Sequence, residues 1–457
     1  MRGFRCFRDK TTAFAASEQG NFAVITAAIL TVLMLAAGLS INTVEIALTR
    51  SNLQQALDAA VTSTARDLTT GIIKPQNAKP TVTAFLTANG GTGFASADKI
   101  SLDQLNVDQG SKTVSAAASV DIAMLFPVFS GSSVYKVEVA SAAKYSDQSM
   151  EVSMVLDVTG SMAESATGRK GGSSKISGLK IAATDAVHEL LDGQNQDNPR
   201  VKVAVVPYAD SVNVGSSLAS SSVFVEKTQA DRKRDLGNGT ALPASYARRP
   251  DNCATERKGD NQYTDIGPDV SMVHRDLLLA RNNCPSAALV PLTTDETKLT
   301  DMIGQFTPGG FTAGHIGVQW GWYMLSPYWS SVLPAASVPA AYNRDKVTKV
   351  MILMTDGLFN TAYFDAKRAS EINNQVTESN TAATTLCSAM KREGIQIFTI
   401  GFGLRGGDSD AKDVLKDCAS PDTPTVKYFY EATDNDDLDA TFKQIVADLQ
   451  KQLVLTR

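Results

Sequence analysis

Hydrophobic and polar positions follow three regimes along this chain. From Gln19 to Val44 no charged residue occurs, and Phe22 to Ile41 is predominantly apolar. About twenty such residues, at a rise of 1.5 Å each, span the hydrocarbon core of a bilayer. Beyond Val44, the residues Leu53, Leu57, Val61, Ala65 and Leu68 recur every three to four positions. That spacing predicts an amphipathic helix prolonging the apolar run into a stalk, with Pro75 and Pro80 punctuating its end. Segments 97–107, 112–124 and 133–145 alternate or are rich in β-branched residues, as in Tyr135-Lys-Val-Glu-Val-Ala. They predict a small sheet, the competing reading being a semi-ordered linker rich in Ala, Ser and Gly.

From Met150 strand and helix patterns alternate. Strands are predicted at 151–156, 201–207, 347–354, 395–400 and 426–430, and helices near 174–192, 295–305, 313–325, 378–393, 409–417 and 435–452. Strands separated by helices imply an open, mostly parallel sheet covered on both faces. Residues 211–288 break the alternation: they are rich in Ser, Arg, Asn and Asp and read as an insertion on the rim. The organisation predicted is a basic tail (1–19), a transmembrane helix (20–44), a helical stalk with a small β-rich region (45–149), and an α/β domain (150–457) carrying the insertion.

Charge sets the topology. Arg2, Arg5, Arg8 and Lys10 outnumber Asp9 and Glu18 ahead of the apolar run, so the positive-inside rule leaves the tail in the cytoplasm and everything after Val44 outside. A cleaved signal peptide, cut near Ala36-Ala37-Gly38, is the alternative; the apolar run is longer than such a segment usually is, which favours an uncleaved anchor. A net charge of −5 and the lack of a basic stripe with interleaved aromatics give no reason to expect nucleic-acid binding. Three dispersed histidines argue against a histidine-rich zinc centre. Cys253, Cys284, Cys387 and Cys418 form two sequential pairs of equal separation, candidates for two disulfides outside the cytoplasm.

The densest chemistry lies in Glu151-Val-Ser-Met-Val-Leu-Asp157-Val-Thr159-Gly160-Ser161-Met162, where a buried strand runs into an acid, two hydroxyls and a glycine. Asp157, Thr159 and Ser161 alternate, so an extended turn aims three oxygens at one point. One carboxylate with two neutral hydroxyls suits a hard divalent cation and leaves much of its charge uncancelled. Two further strand-to-helix handovers offer ligands: Thr312 in Pro308-Gly-Gly-Phe-Thr312-Ala-Gly-His-Ile-Gly, and Asp356 in Met351-Ile-Leu-Met-Thr355-Asp356-Gly357.

Three other signatures are weaker. Gly401-Phe-Gly403-Leu-Arg-Gly406 fits a dinucleotide-binding spacing, but Asp408 and Asp410 would set negative charge against a pyrophosphate. A strand ending in Asp157 also suits a phosphatase nucleophile, yet Thr159 stands where a proton-donating acid belongs. Asp434-Asn-Asp436-Asp437-Leu-Asp439 lacks the glycine of a calcium loop and reads as acids at a helix N-terminus. Trp320, Trp322, Tyr323 and Trp329 read chiefly as packing of a helix and loop on the sheet.

Asp157-x-Thr159-x-Ser161, Thr312 and Asp356 resemble the metal-ion-dependent adhesion site of von Willebrand factor type A domains. The resemblance implies a doubly wound, Rossmann-like sheet and Mg2+ or Mn2+ held by these five residues, with Thr159 where serine is more frequent. The anchor beginning Gly20-Asn-Phe-Ala-Val-Ile, the run Trp320-Gly-Trp-Tyr-Met-Leu-Ser-Pro327 and Cys418-Ala-Ser with Tyr428-Phe-Tyr resemble the Flp, or tight-adherence, pilus-assembly proteins of the TadE/TadG-like group, and the added adhesion domain points to TadG-like members. Ile25 stands where the family's pseudopilins carry a glutamate, which argues against prepilin-type processing. The resemblance implies a single-pass protein of the bacterial inner membrane with its bulk periplasmic or on the cell surface. Its partner would be a protein ligand bearing an acidic group, among pilus or secretion-apparatus components. A metal-dependent hydrolase, with Asp356 or His315 as base, and a scaffold with a vestigial metal site are the alternatives; no enzyme is expected.

Overall fold

The computed structural model describes residues 19–89, 100–127, 132–167, 172–194, 199–219, 223–225, 252–276, 284–343, 346–364, 366, 368, 370–404 and 409–454. The basic residues of the tail, Gly406 and Asp408 lie outside these, as does much of the insertion. The chain folds as two units: residues up to Tyr145, apart from Thr69–Ile72, and Ser146 onward together with those four.

In the first unit, helix α1 (Gln19–Thr69) is 51 residues long, more than twice what a bilayer core of about 30 Å requires. Its N-terminal half exposes Phe22, Val24, Ile25, Ile29, Leu30 and further apolar residues as far as Leu48, and it is long and apolar enough to cross a membrane. Its C-terminal half is amphipathic as the spacing predicts: Leu53, Leu57, Val61, Ala65 and Leu68 are buried. They share a core with Val82 and Leu86 of helix α2 (Ala78–Asn89) and with Val114, Ala118 and Val120 of the sheet. That sheet is antiparallel, strands β1 (Ile100–Asp108), β2 (Thr113–Ala123) and β3 (Val134–Lys144) pairing in chain order. Helix α1 ends at Thr69, ahead of both prolines, and Pro80 lies in the first turn of α2, where a missing N–H costs no hydrogen bond.

In the second unit, parallel strands β4 (Ser149–Asp157), β5 (Val201–Tyr208), β9 (Val347–Thr355), β10 (Gln396–Phe402) and β11 (Phe429–Ala432) form the body of an eight-stranded sheet. The insertion and the segment after it add β6 (Val212–Asn213), β7 (Cys253–Ala254) and β8 (Val290–Thr293), all paired antiparallel, in the order β11-β10-β9-β4-β5-β6-β7 with β8 also on β5. Helices α3 (Lys175–Leu191), α4 (Glu296–Gly304) and α8 (Asn435–Val454) supply one core. Helices α5 (Gly314–Tyr323), α6 (Val376–Arg392) and α7 (Ser409–Cys418) supply the other. The sheet is therefore doubly wound, with strands apolar along their length because both faces are covered.

Every residue of α5 is buried. The helix reaches the sheet so closely because Gly314, Gly317 and Gly321 face Phe359, Tyr208 and Val155; a Cβ on Gly317 would stand 2.7 Å from the Tyr208 ring. The aromatic cluster after Thr312 is core as expected: Tyr323 stacks on Trp329 at 4.0 Å, and the buried Arg257 guanidinium lies 4.9 Å from the Tyr323 ring centre. Both disulfides join the sequential pairs, Cys253–Cys284 and Cys387–Cys418.

Candidate metal-ion site at the sheet edge

Strand β4 is followed by β5 on one side of it and by β9 on the other. The two neighbouring strands β4 and β9 thus flank the place where strand order reverses, and their carboxyl ends open onto the crevice that such sheets use for ligands. Asp157 is the last residue of β4, and Asp356 follows the last residue of β9.

Asp157 is fully buried, and both its oxygens are engaged. Oδ1 accepts from Thr159 N at 2.8 Å, which folds the chain into the turn after the strand; Oδ2 accepts from Thr355 Oγ1 at 2.7 Å. Ser161 Oγ lies 3.0 Å from Thr159 Oγ1 and donates to Asp356 Oδ1 at 2.6 Å. The alternation Asp-x-Thr-x-Ser does bring its oxygens together, and β9 brings Asp356 to them. The other oxygen of Asp356, Oδ2, accepts from Lys175 Nζ at 2.9 Å, with both side chains buried.

The loop carrying Thr312 is laced to the first loop through its backbone. Gly160 N donates to Gly310 O at 3.0 Å and Gly309 N to Val158 O at 2.9 Å. Gly310 sits at φ +80°, and a Cβ there would collide with the Asp210 carboxylate, whose Oδ2 accepts from Phe311 N at 2.8 Å. Thr312 is tied to the loop after Asp356: its N donates to Asn360 Oδ1 at 3.1 Å, and its carbonyl accepts from Asn360 N and Thr361 N at 2.9 and 3.2 Å. All three loops meet at one end of the sheet. Thr355, Lys175, Asp210 and Asn360 are the contributors that sequence reasoning missed; only Thr355, beside Asp356 at a strand end, carried a local signal.

The donor set fits a hard cation. Burial, and after it the neighbouring Asp356 carboxylate, push the Asp157 carboxyl up to about 7, the response of two acids brought together out of water. Hydroxyls of Ser161 and Thr159 border the same carboxylates, an all-oxygen set of the kind Mg2+ and Mn2+ prefer. Among the described residues no group of three or more His, Cys, Asp and Glu suited to a metal occurs, so the candidate set has two carboxylates and otherwise neutral oxygens. His315, a candidate base, faces elsewhere: its Nε2 lies 2.6 Å from Glu256 Oε2 and its Nδ1 2.9 Å from Ser379 Oγ. Ser379, His315 and Glu256 are each at most 1% exposed.

Residues 335–444 match the von Willebrand factor type A domain family, and residues 20–67 match the Flp pilus-assembly TadE/G-like family. The chain carries a TadE/G-like region and a type A domain. The match at 335–444 includes β9, β10, β11 and Asp356; Asp157 and Thr312 lie outside it. Among solved structures, the vWF domain of the type V pili tip protein Mfa5 from Porphyromonas gingivalis is 14% identical with a TM-score of 0.37, over 68% of this chain and 98% of that one. The PilB minor pilin from Streptococcus sanguinis is 13% identical with a TM-score of 0.37, over 78% and 79%. Manganese-loaded TRAP protein from Plasmodium vivax is 10% identical with a TM-score of 0.29, over 73% and 78%. No curated protein matches the sequence.

Proposed function

We propose that this chain is a membrane-anchored, extracytoplasmic adhesion or assembly protein of a Flp-type pilus system, with no enzymatic activity. In this reading residues 1–19 are cytoplasmic, 20–44 cross the inner membrane, 45–149 form a stalk, and the type A domain from 150 onward stands on the far side. Asp157, Thr159, Ser161, Thr312 and Asp356 hold Mg2+ or Mn2+, and the partner is a protein that presents an acidic side chain or chain terminus. The bound ion would keep a coordination position open, to which a ligand carboxylate is drawn. The chain's own part is positional. Thr355 and the Thr159 N–H fix the Asp157 carboxylate, Ser161 orients Asp356, and the Gly160–Gly310 contact brings the Thr312 loop alongside.

The observation that supports this most directly is the hydrogen-bonded cluster of Asp157, Thr159, Ser161 and Asp356, assembled from segments about two hundred residues apart at the switch point of the sheet. The test is calorimetric titration of Mg2+ and Mn2+ into the wild type and Asp157→Asn, paired with crosslinking in intact cells with Mg2+ or chelator. Metal binding and partner adducts should be lost together in the variant, with folding retained. Partner adducts that persist in chelator would overturn the mechanism.

A further inference from the structure

One charged group at this edge has no place among the metal ligands. Lys175 opens helix α3, and its ammonium reaches Asp356 Oδ2 at 2.9 Å with the lysine side chain only 6% exposed. Its placement is built. The backbone N–H of Lys175 is pinned to Glu164 O at 2.9 Å, on the stretch that continues the first loop. Its side chain passes over Gly403, at the end of β10, whose φ is +62°; a Cβ there would press on Lys175 Cε at 3.1 Å. A side chain at position 403 would be strained by that φ and would press on the end of the lysine stem.

We infer that Lys175 is a tethered counter-cation that sets the affinity and charge of the metal site. The inference rests on the metal reading above. Two carboxylates alone would hold a divalent ion tightly and leave the complex neutral. With the lysine on Asp356, the same carboxylates hold the ion against a fixed positive charge, and the complex carries one positive charge more. Metal affinity is lowered, and attraction for an anionic ligand is raised. Without metal the ammonium offsets part of the charge of the two acids. Lysine suits this role because its charge is compact and sits at the end of a flexible stem.

The experiment uses Mn2+ alone as the probe. The full chain in detergent is titrated with Mn2+, followed by electron paramagnetic resonance, for the wild type, Lys175→Met and Lys175→Gln. The methionine keeps the length of the stem and removes the charge; the glutamine keeps a donor and removes the charge. Both variants should bind Mn2+ at least about tenfold more tightly, since one unit charge a few ångströms away outweighs that factor even at an effective dielectric near 20. Their melting temperatures should rise with Mn2+ far more than that of the wild type. Mn2+ binding by the variants alone also supports the inference. Equal or weaker binding by folded variants overturns it and leaves the metal reading standing. No Mn2+ binding by any of the three proteins overturns both.

Discussion

Removal of the Glu256 carboxylate should loosen the insertion from the loops of the candidate site. Glu256 follows β7 and is 1% exposed. Oε1 accepts from Tyr363 N at 3.0 Å, at the far end of the loop that begins with Asp356, and Oε2 lies 2.6 Å from His315 Nε2 on α5, the helix that follows Thr312. In Glu256→Ala the Tyr363 N–H and the imidazole each lose a partner in a dry interior. A stranded buried donor costs about 1–3 kcal/mol, and breaking a buried pair by deleting one member costs about 3–5 kcal/mol in all. Glu256→Gln keeps an acceptor for Tyr363 and loses the charge facing His315, so about half that cost is expected. Urea unfolding followed by near-UV circular dichroism measures both, and Mn2+ titration of the same proteins reads the loops. The alanine variant should show a midpoint equivalent to about 3–5 kcal/mol of lost stability, with weaker Mn2+ binding. A change under about 1 kcal/mol, within the ordinary range for a surface residue, would show that this carboxylate does not join insertion and site.

The Cys387–Cys418 disulfide closes a separation of 31 residues between α6 and α7, for which the chain-entropy relation gives about 3–4 kcal/mol. Replacing both cysteines by alanine should lower stability by that amount in thermal unfolding, without changing Mn2+ affinity. Gly321→Ala places a methyl against Val155 on β4, and overpacking of this kind should cost about 1–3 kcal/mol, read as a lower melting temperature. In metal-free protein the Asp157 carboxyl titrates near 7, above its ordinary 3.8, so between those values the folded state binds more protons than the unfolded one. Metal-free stability should therefore fall as pH rises from about 4 to 7, and Mn2+ affinity should rise over the same interval as the carboxylate is freed; a flat profile in both would contradict this.

The helices and the parallel strands of seven or more residues in the doubly wound sheet were legible because each is long enough to carry a pattern, whereas the four-residue β11 (Phe429–Ala432) was placed early, at 426–430. β4 and β9 read as buried apolar runs ending in acids, and α3 through α8 as helical stretches lying within a few residues of their observed ends. The antiparallel strands were not. β6 and β7 are two residues each, and β8 is four with Pro291 inside it, so none holds a repeat; pairing with neighbours makes them strands. Helix α2 was hidden by Pro80, read as a terminator although a proline is harmless in a first turn. Within the site, Asp157, Thr159 and Ser161 were visible as a local alternation. Lys175 was not, because a long side chain meeting an acid 181 positions away leaves no mark in its own neighbourhood.

The same atoms of Asp157 that would face a cation also hold the fold, and this constrains how the site can be probed. Oδ1 and Oδ2 satisfy two buried donors, Thr159 N–H and Thr355 O–H. Alanine at 157 strands the first donor and leaves the second only the more distant Gly357 carbonyl at 3.2 Å, so a loss of binding in that variant mixes lost charge with a slackened loop. Asparagine keeps one oxygen for Thr159 N, and its amide can donate to the Thr355 hydroxyl, which rotates to accept. It removes the charge while keeping the turn. Because β4 and β9 end side by side at the reversal of strand order, that one change acts on the charge shared with Asp356 and Lys175 without touching the strand pairing that brought the three together.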